Sequence, residues 1–569
     1  MTGISLAIPF DSVTSTLCTI MRASYKKLRP LVGFLLAWAF LNFLINLNYP
    51  AEDPALFTPL RLSPEILGLL ALVGVAIRRG LPFHAAFYLP LTLAVVSVRL
   101  FRIGDTLVPL YFNREFNLYL DSQFLDDLFH LLYNTLPAGT LLTYAGLAVF
   151  LLAAVPWAVW HAFRTMHRFL ELRARQALFL GLIALLTVLF CYQYPASRDG
   201  RSRLFAPEFL PRLVAEFDFI LHVQGYRTRH LDVIRRAMQK AAQTPSSLDK
   251  LGGADVYLFF IESYGETVLT DPKHFAMIAP VLELTQSELK AQGFGMRSHF
   301  LTSPTFGGAS WLARATVASG IFLARQMEYN LLLTSNLQPL AGYFNKCGYR
   351  TVTVMPGTQW PWPQGEFFDY QQKYYAWNFA YQGPSFGWAT MPDQYVLDYI
   401  YRREIQTRTL PLFIEFVLIS SHAPFHRQPP YLADWSDIGD GAIYHAKQMI
   451  TFPIVWPDLR HASEAYLTAI AYDIHVLRDF IQQNVKDEAL MIIMGDHQPN
   501  LQITGANRTW SVPVHIISRN PRFMDPFAAR GFTAGLIPRQ PPPHPGMETF
   551  LYNFLEDFSS TPPAGRSPR

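Results

Sequence analysis

The run Leu490-Met491-Ile492-Ile493-Met494, closed by Gly495-Asp496-His497-Gln498-Pro499, decides the fold. Five apolar residues that stop at a glycine read as a strand buried on both faces. The Asp-His pair then falls at a carboxyl end, where open α/β sheets gather their ligands. Five further short apolar runs, 256–261, 298–302, 351–355, 412–419 and 512–517, alternate with longer helical patterns. Residues 255–537 are therefore expected to form an α/β domain, a mostly parallel sheet covered by helices on both faces.

The strand ends supply the chemistry. Glu262-Ser263 follows the first run, Ser420-Ser421-His422-Ala423-Pro424-Phe425 the fourth, and Asp496-His497 the fifth. A carboxylate just beyond a buried strand is costly unless exposed, paired or bound to a cation. Glu262, Asp496 and His497 together offer the oxygen and nitrogen donors that suit one divalent ion, with Mn, Zn and Mg all compatible. Singly, each reads equally well as a loop residue without chemistry. The second run leads into Thr302-Ser303-Pro304-Thr305-Phe306-Gly307-Gly308-Ala309-Ser310, then a helical stretch from Trp311 to Ser319. Ser310 stands where an N-cap belongs, and the free N–H groups of the helix would face an anion held there. By its own neighbourhood it is a helix cap.

Ahead of this domain the chain reads as a membrane protein. Half of its 569 residues are hydrophobic, and apolar stretches at 31–47, 62–77, 83–101, 138–160 and 178–192 suggest five spanning helices. Arg22, Lys26, Lys27 and Arg29 precede the first, Arg78 and Arg79 separate the second from the third, and Arg164, Arg168, Arg173 and Arg175 lie between the fourth and fifth. These loops belong in the cytoplasm, and the opposite loops carry Glu52, Asp53, Asp105, Glu115, Asp121, Asp126 and Asp127. An odd number of spans exports everything after Tyr192, which predicts a multi-pass protein of the inner, cytoplasmic membrane with its α/β domain on the periplasmic side. The expected layout is a cytoplasmic 1–30, a membrane region 31–195, a juxtamembrane helix and linker 196–254, the domain 255–537, and a proline-rich 538–569 with a disordered tail. A net charge of +4 gives no basic face for nucleic acid, and Cys18, Cys191 and Cys347 share no metal or disulfide spacing.

Glu262-Ser263, a glycine-rich turn with a hydroxyl opening a helix, Ser421-His422-Ala423-Pro424-Phe425 and Gly495-Asp496-His497, in this order after five spans, resemble the sulfatase-like membrane phosphotransferases of the alkaline phosphatase superfamily. Lipoteichoic acid synthases and lipid A phosphoethanolamine transferases are of this type. The resemblance implies an alkaline-phosphatase-like fold and a metal shell of Glu262, Ser310, Asp496 and His497. It makes Ser310 the nucleophile and places His422 at the transferred group or the leaving oxygen. Thr305, in the same turn, is a rival nucleophile, since the family often uses threonine; Ser310 ranks first because it opens the helix. The activity implied is transfer of a phosphoethanolamine- or phosphoglycerol-type group from a phospholipid to an envelope lipid or glycan. Trp360 and Trp362 are candidates to line the acceptor site, but the Trp-Asn-Arg element of phosphoglycerol readers has no arginine here. A sulfatase or phosphodiesterase is the alternative. Ser310-Trp311-Leu312-Ala313-Arg314 keeps the serine and arginine of the formylglycine element but has Leu312 where proline is usual. A catalytically silent membrane scaffold is the third reading.

Overall fold

Strand β1 (Val256–Ile261) is buried along its whole length, and its alternate residues feed two different cores. Tyr257, Phe259 and Ile261 point into one apolar cluster, Val256, Leu258 and Phe260 into another. Period-two alternation with both faces apolar is what a sheet covered on both sides requires. The computed structural model describes residues 10–47, 61–81, 85–122, 129, 132–133, 136–198, 204–206, 209–454, 459–485, 488–505 and 508–560. Glu52, Asp53, Asp126, Asp127 and the tail 561–569 lie outside the described residues.

The main sheet has eight strands in the order β10-β2-β9-β8-β1-β5-β3-β4. Its other members are β2 (Gly295–Thr302), β3 (Arg350–Met355), β4 (Gln372–Tyr375), β5 (Leu412–Leu418), β8 (Leu490–Gly495), β9 (Ser511–Ser518) and β10 (Thr533–Ala534). A separate two-stranded ribbon pairs β6 (Arg427–Gln428) with β7 (Ile450–Thr451). β8, β1, β5, β3 and β4 run parallel, while β9 is antiparallel to both β8 and β2. The sheet is thus mostly parallel, and each of the six expected runs is a strand. Among these six, the carboxyl-end rule fails for β9. Because β9 is reversed, Ser511 at its start, not Ser518 at its end, shares an edge with the ends of β1, β2, β5 and β8.

One face is covered by α-helices at Pro272–Ala291, Asp393–Ile400 and Ser463–Asn484, the other by helices at Ser310–Ser319 and Thr549–Phe558. The last of these corrects the expected domain end at 537. Phe550, Leu551, Tyr552, Phe554, Leu555 and Phe558 are all buried, so the ordered domain runs past the proline-rich stretch. Apolar residues at helical spacing carry more weight there than the prolines before them.

The chain divides into two compact units, one of 1–107, 116–118 and 137–221, the other of 108–115, 119–136 and 222–569. In the first, Phe34, Leu41, Leu67, Leu70, Val159, Phe163 and Phe179 make a core of their own. The helix Phe10–Asn46 begins inside the expected cytoplasmic segment 1–30. Among the described residues, three stretches are long and apolar enough to cross a membrane: Leu28–Asn46, Ala138–Phe169 and Arg173–Gln193. The helix Pro64–Arg78 has 15 residues, short of the ~20 a span needs, and Ala85–Phe112 carries Arg99, Arg102 and Asp105. Large apolar side chains such as Leu142, Phe150, Leu178 and Leu185 are exposed on the long helices, a surface suited to lipid rather than water.

Candidate active site

The edge formed by β1, β8 and β2 gathers the donors. Glu262 leaves the end of β1, and Asp496 and His497 leave the end of β8, the strand hydrogen-bonded beside it. All three side chains are buried. Their donor atoms lie within 4.8 Å of one another, and among the described residues no other histidine, cysteine and carboxylate set converges so closely. His497 Nε2 is 3.2 Å from Glu262 Oε1 and 3.7 Å from Asp496 Oδ2. The loops are locked from behind: Asp496 Oδ1 accepts the N–H groups of Ser263 and His497, Ser303 Oγ donates to the Asp496 carbonyl, and Tyr466 Oη donates to the Ser263 carbonyl. Gly495 has a steric reason to be glycine, since a Cβ there would stand 1.8 Å from the carbonyl oxygen of Tyr264.

The sequence argument set Ser310 at an N-cap. The N-cap is instead Ala309, in the left-handed region at φ 61°, and Ser310 is the first residue of the helix Ser310–Ser319. This difference frees the hydroxyl. Ser310 Oγ donates to Glu262 Oε2 at 2.9 Å and lies 3.2 Å from His497 Nε2. A non-glycine residue held at positive φ costs of order 1–3 kcal/mol, and such strain clusters at functional sites. Ser263, directly after Glu262, is held the same way at φ 59°. Gly307 is at φ 68°, and a Cβ on it would meet the Tyr111 carbonyl at 2.1 Å; Tyr111 belongs to the same unit.

Electrostatics fit a cation at this set. Burial works against the charge of Glu262, yet the His497 imidazole beside it holds its carboxyl below the ordinary range. Burial and the neighbouring Glu262 push Asp496 up to about 7. For His497, burial opposes the charge, but Asp496 and Glu262 outweigh it and lift the imidazole to about 9. Two carboxylates buried this close need a positive partner, and without metal the imidazole takes that part. His497 Nδ1 is 2.8 Å from the Gln498 carbonyl, so it is the donor there, and loss of the Nε2 proton would leave that lone pair facing Glu262 and Ser310. That is the tautomer a metal-binding histidine uses.

The remaining sequence candidates divide. His422 is close enough to Glu262 and His497 to feel both charges, and burial lowers its pKa. Its Nδ1 sits 2.6 Å from the Ala423 carbonyl. Thr305 is buried with its hydroxyl unpartnered, and no hydrogen bond joins it to Glu262, Asp496 or His497. Trp362 stacks on Phe368 at 5.3 Å and lies over Arg314 at 5.9 Å, lining a small cavity with Trp311 and Glu415, whereas Trp360 is exposed. Two residues carry no signal in the sequence: Trp388, whose indole lies parallel to the His422 ring at 3.8 Å, and Asp393, which holds the backbone of the His422 loop. Both sit in a loop and helix start with no strand-end signal to mark them.

Comparison with known proteins adds a family. Residues 296–514 match the sulfatase family model. The match falls within the second unit and is to the type of family that the resemblance named. Among solved structures, the chain is similar to the lipoteichoic acid synthase LtaP from Listeria monocytogenes, at 15% identity and a TM-score of 0.34 over 53% of this chain and 76% of that one. It is likewise similar to the periplasmic domain of the phosphoethanolamine transferase EptC from Campylobacter jejuni, at 11% identity and 0.35 over 53% and 88%. A third is the phosphoglycerol transferase GacH from Streptococcus pyogenes, at 10% identity and 0.35 over 57% and 91%. No curated protein matches the chain in sequence.

Proposed function

We propose that this sulfatase-type domain is a metal-dependent transferase that moves a phosphoryl-linked group, of the phosphoethanolamine or phosphoglycerol type, from a phospholipid to an envelope lipid or glycan. The observation that carries the reading is the Ser310 hydroxyl, free of capping duty and 2.9 Å from Glu262 in the Glu262, Asp496 and His497 set. Ser310 is the nucleophile: its oxygen attacks phosphorus, the lipid alcohol leaves, and the group rests on Ser310 until an acceptor hydroxyl takes it. Glu262, Asp496, His497 and Ser310 would hold one divalent ion, Mn, Zn or Mg, which when bound supplies charge for lowering the serine pKa and for the phosphoryl oxygens. Glu262 accepts the hydrogen bond of Ser310 and so aims its oxygen. His422, with Nδ1 turned to the Ala423 carbonyl, has Nε2 left to contact the transferred group or, once it carries the proton that Ser310 gives up, to protonate the leaving oxygen.

The membrane side of the reading is that the two further helices, Pro64–Arg78 and Ala85–Phe112, join the three long apolar ones as five spans. The domain then lies on the periplasmic face of the inner membrane, held by the same chain to the bilayer that contains a lipid donor. Trp360, exposed in the loop after β3, is the better placed of the two tryptophans to meet an acceptor. The second reading, hydrolysis of an exported sulfate or phosphate ester, keeps the same site with water as acceptor. Formylglycine chemistry is disfavoured by Arg314, whose guanidinium is buried against Glu415 instead of free for the site.

Envelope lipids and glycans compared by mass between cells carrying native protein and Ser310→Ala test the proposal. A substituted species should vanish in the variant, and identical profiles in every fraction would overturn the transferase reading. Mass spectrometry of the Ser310 peptide separates the two chemistries, loss of hydrogen marking formylglycine and a phosphoryl adduct marking transfer.

A further inference from the structure

His422 is the one proposed catalytic side chain that no hydrogen bond ties to the metal set, so something else must fix its ring. Its Nδ1 contact to Ala423 sets which edge faces the site but leaves the ring free to rock. Trp388 closes that freedom, its indole lying on the imidazole at 3.8 Å and 14° between planes. The indole is itself wedged from the side, since a Cβ on Gly357 would stand 2.8 Å from it. Thr390 Oγ1 donates to the Pro356 carbonyl at 2.7 Å, which pins the segment carrying Trp388 to the loop after β3.

The same segment holds the backbone under His422. Asp393 opens the helix Asp393–Ile400 fully buried. Its carboxylate accepts the N–H of Ile419 at 2.9 Å and of Ser420 at 2.6 Å, and its own N–H donates to Ser420 Oγ at 3.0 Å. Ser421 Oγ then donates to the Glu262 carbonyl at 2.7 Å, which ties the turn to the metal-bearing loop. Trp388 is only partly buried, packing against the apolar core as well as lying on the imidazole.

We propose that Trp388 and Asp393 are positioning residues that form a clamp on His422, the first fixing the plane of its ring and the second the backbone that carries it. The proposal rests on the reading of His422 as the group facing the transferred phosphoryl or leaving oxygen. A ring displaced by about 1 Å from its productive place costs on the order of 10²-fold in rate, which sets the scale of the effect.

The test uses the full-length protein in detergent with added Mn²⁺ and the chromogenic diester bis(p-nitrophenyl) phosphate. Trp388→Ala should lower kcat on the order of 10²-fold at nearly unchanged KM, Trp388→Phe should recover most of that loss, and Asp393→Asn should fall between. Adding W388A to H422A should cost nothing further, because both act through one ring. Equal losses in W388F and W388A, or a further loss on the H422A background, would overturn the clamp. A second arm needs no turnover: the emission of Trp388, taken as wild type minus W388F, should change in H422A at unaltered melting temperature, and an unchanged emission sinks the stack. If wild type fails to turn over the diester, the transferase reading is what suffers, while the fluorescence arm still decides the clamp.

Discussion

Ser310 Oγ donates a 2.9 Å hydrogen bond to Glu262 Oε2 across 48 positions of sequence. That bond turns a helix-opening serine into part of a donor set, and it predicts what removal does. Ser310→Ala should abolish turnover by on the order of 10³-fold or more, since a nucleophile's loss is not made good by its neighbours. Ser310→Thr, keeping a hydroxyl, should retain part of the activity. Trapping the protein with a phospholipid donor and weighing the peptide that contains Ser310 checks both, with no adduct expected in the alanine variant.

Metal removal should lower stability as well as activity. An ion bound only by the folded state adds about 2.7 kcal/mol at a hundredfold excess over Kd, so EDTA should lower the melting temperature and readdition of Mn²⁺, Zn²⁺ or Mg²⁺ should restore it. In Asp496→Asn the added metal should produce no rise. Differential scanning fluorimetry of the purified protein reads both, and the sizes of the rises rank the three metals by affinity.

Arg314, on the helix that Ser310 opens, forms a buried pair with Glu415, and Tyr370 Oη donates to the same carboxylate at 2.8 Å. Burial opposes the charge of Arg314, but Glu415 more than compensates and raises its pKa. Glu415→Leu strands the guanidinium and should cost about 3–5 kcal/mol, whereas pairing it with Arg314→Met should recover much of that. Thermal melting of the single and double variants distinguishes a stranded charge from a simple packing defect.

Asp473 is fully buried, and neither of its oxygens meets a hydrogen-bond donor from another group. Burial, then the adjacent Asp393 carboxylate, raises its pKa well above the ordinary value. A raised folded-state pKa gives stability that is whole below the unfolded value of about 3.9 and is lost as pH climbs toward the folded value. The melting temperature of the native protein should therefore carry a downward component from about pH 4 upward. Asp473→Asn, neutral at every pH, should flatten that component, and a pH series of melting curves for the two proteins tests it.

Much of this protein is written locally. Strand β1 was legible because Val256–Ile261 is an unbroken apolar run, and Thr549–Phe558 could have been, its buried residues falling at helical spacing behind the prolines that obscured them. β4 and β10 were not. The four residues of β4 are all only partly buried and the two of β10 carry no pattern, so only pairing with β3 and β2 makes them strands. The reversal of β9 was equally hidden, because strand direction depends on which neighbour accepts its hydrogen bonds.

The site divides along the same line. Sequence alone determined that Glu262 and Asp496-His497 end buried strands, since apolar runs and the polar residues that stop them are short-range facts. It also determined that Ser310 opens a helix. Only the tertiary structure decided that these ends are one place, because β8 lies beside β1 and β2 delivers its turn to the same edge, closing sequence gaps of 187 and 233 positions. It also decided that the hydroxyl turns to Glu262 instead of capping its own helix. A cap competes with any partner the fold brings within reach, and no local pattern says whether one arrives.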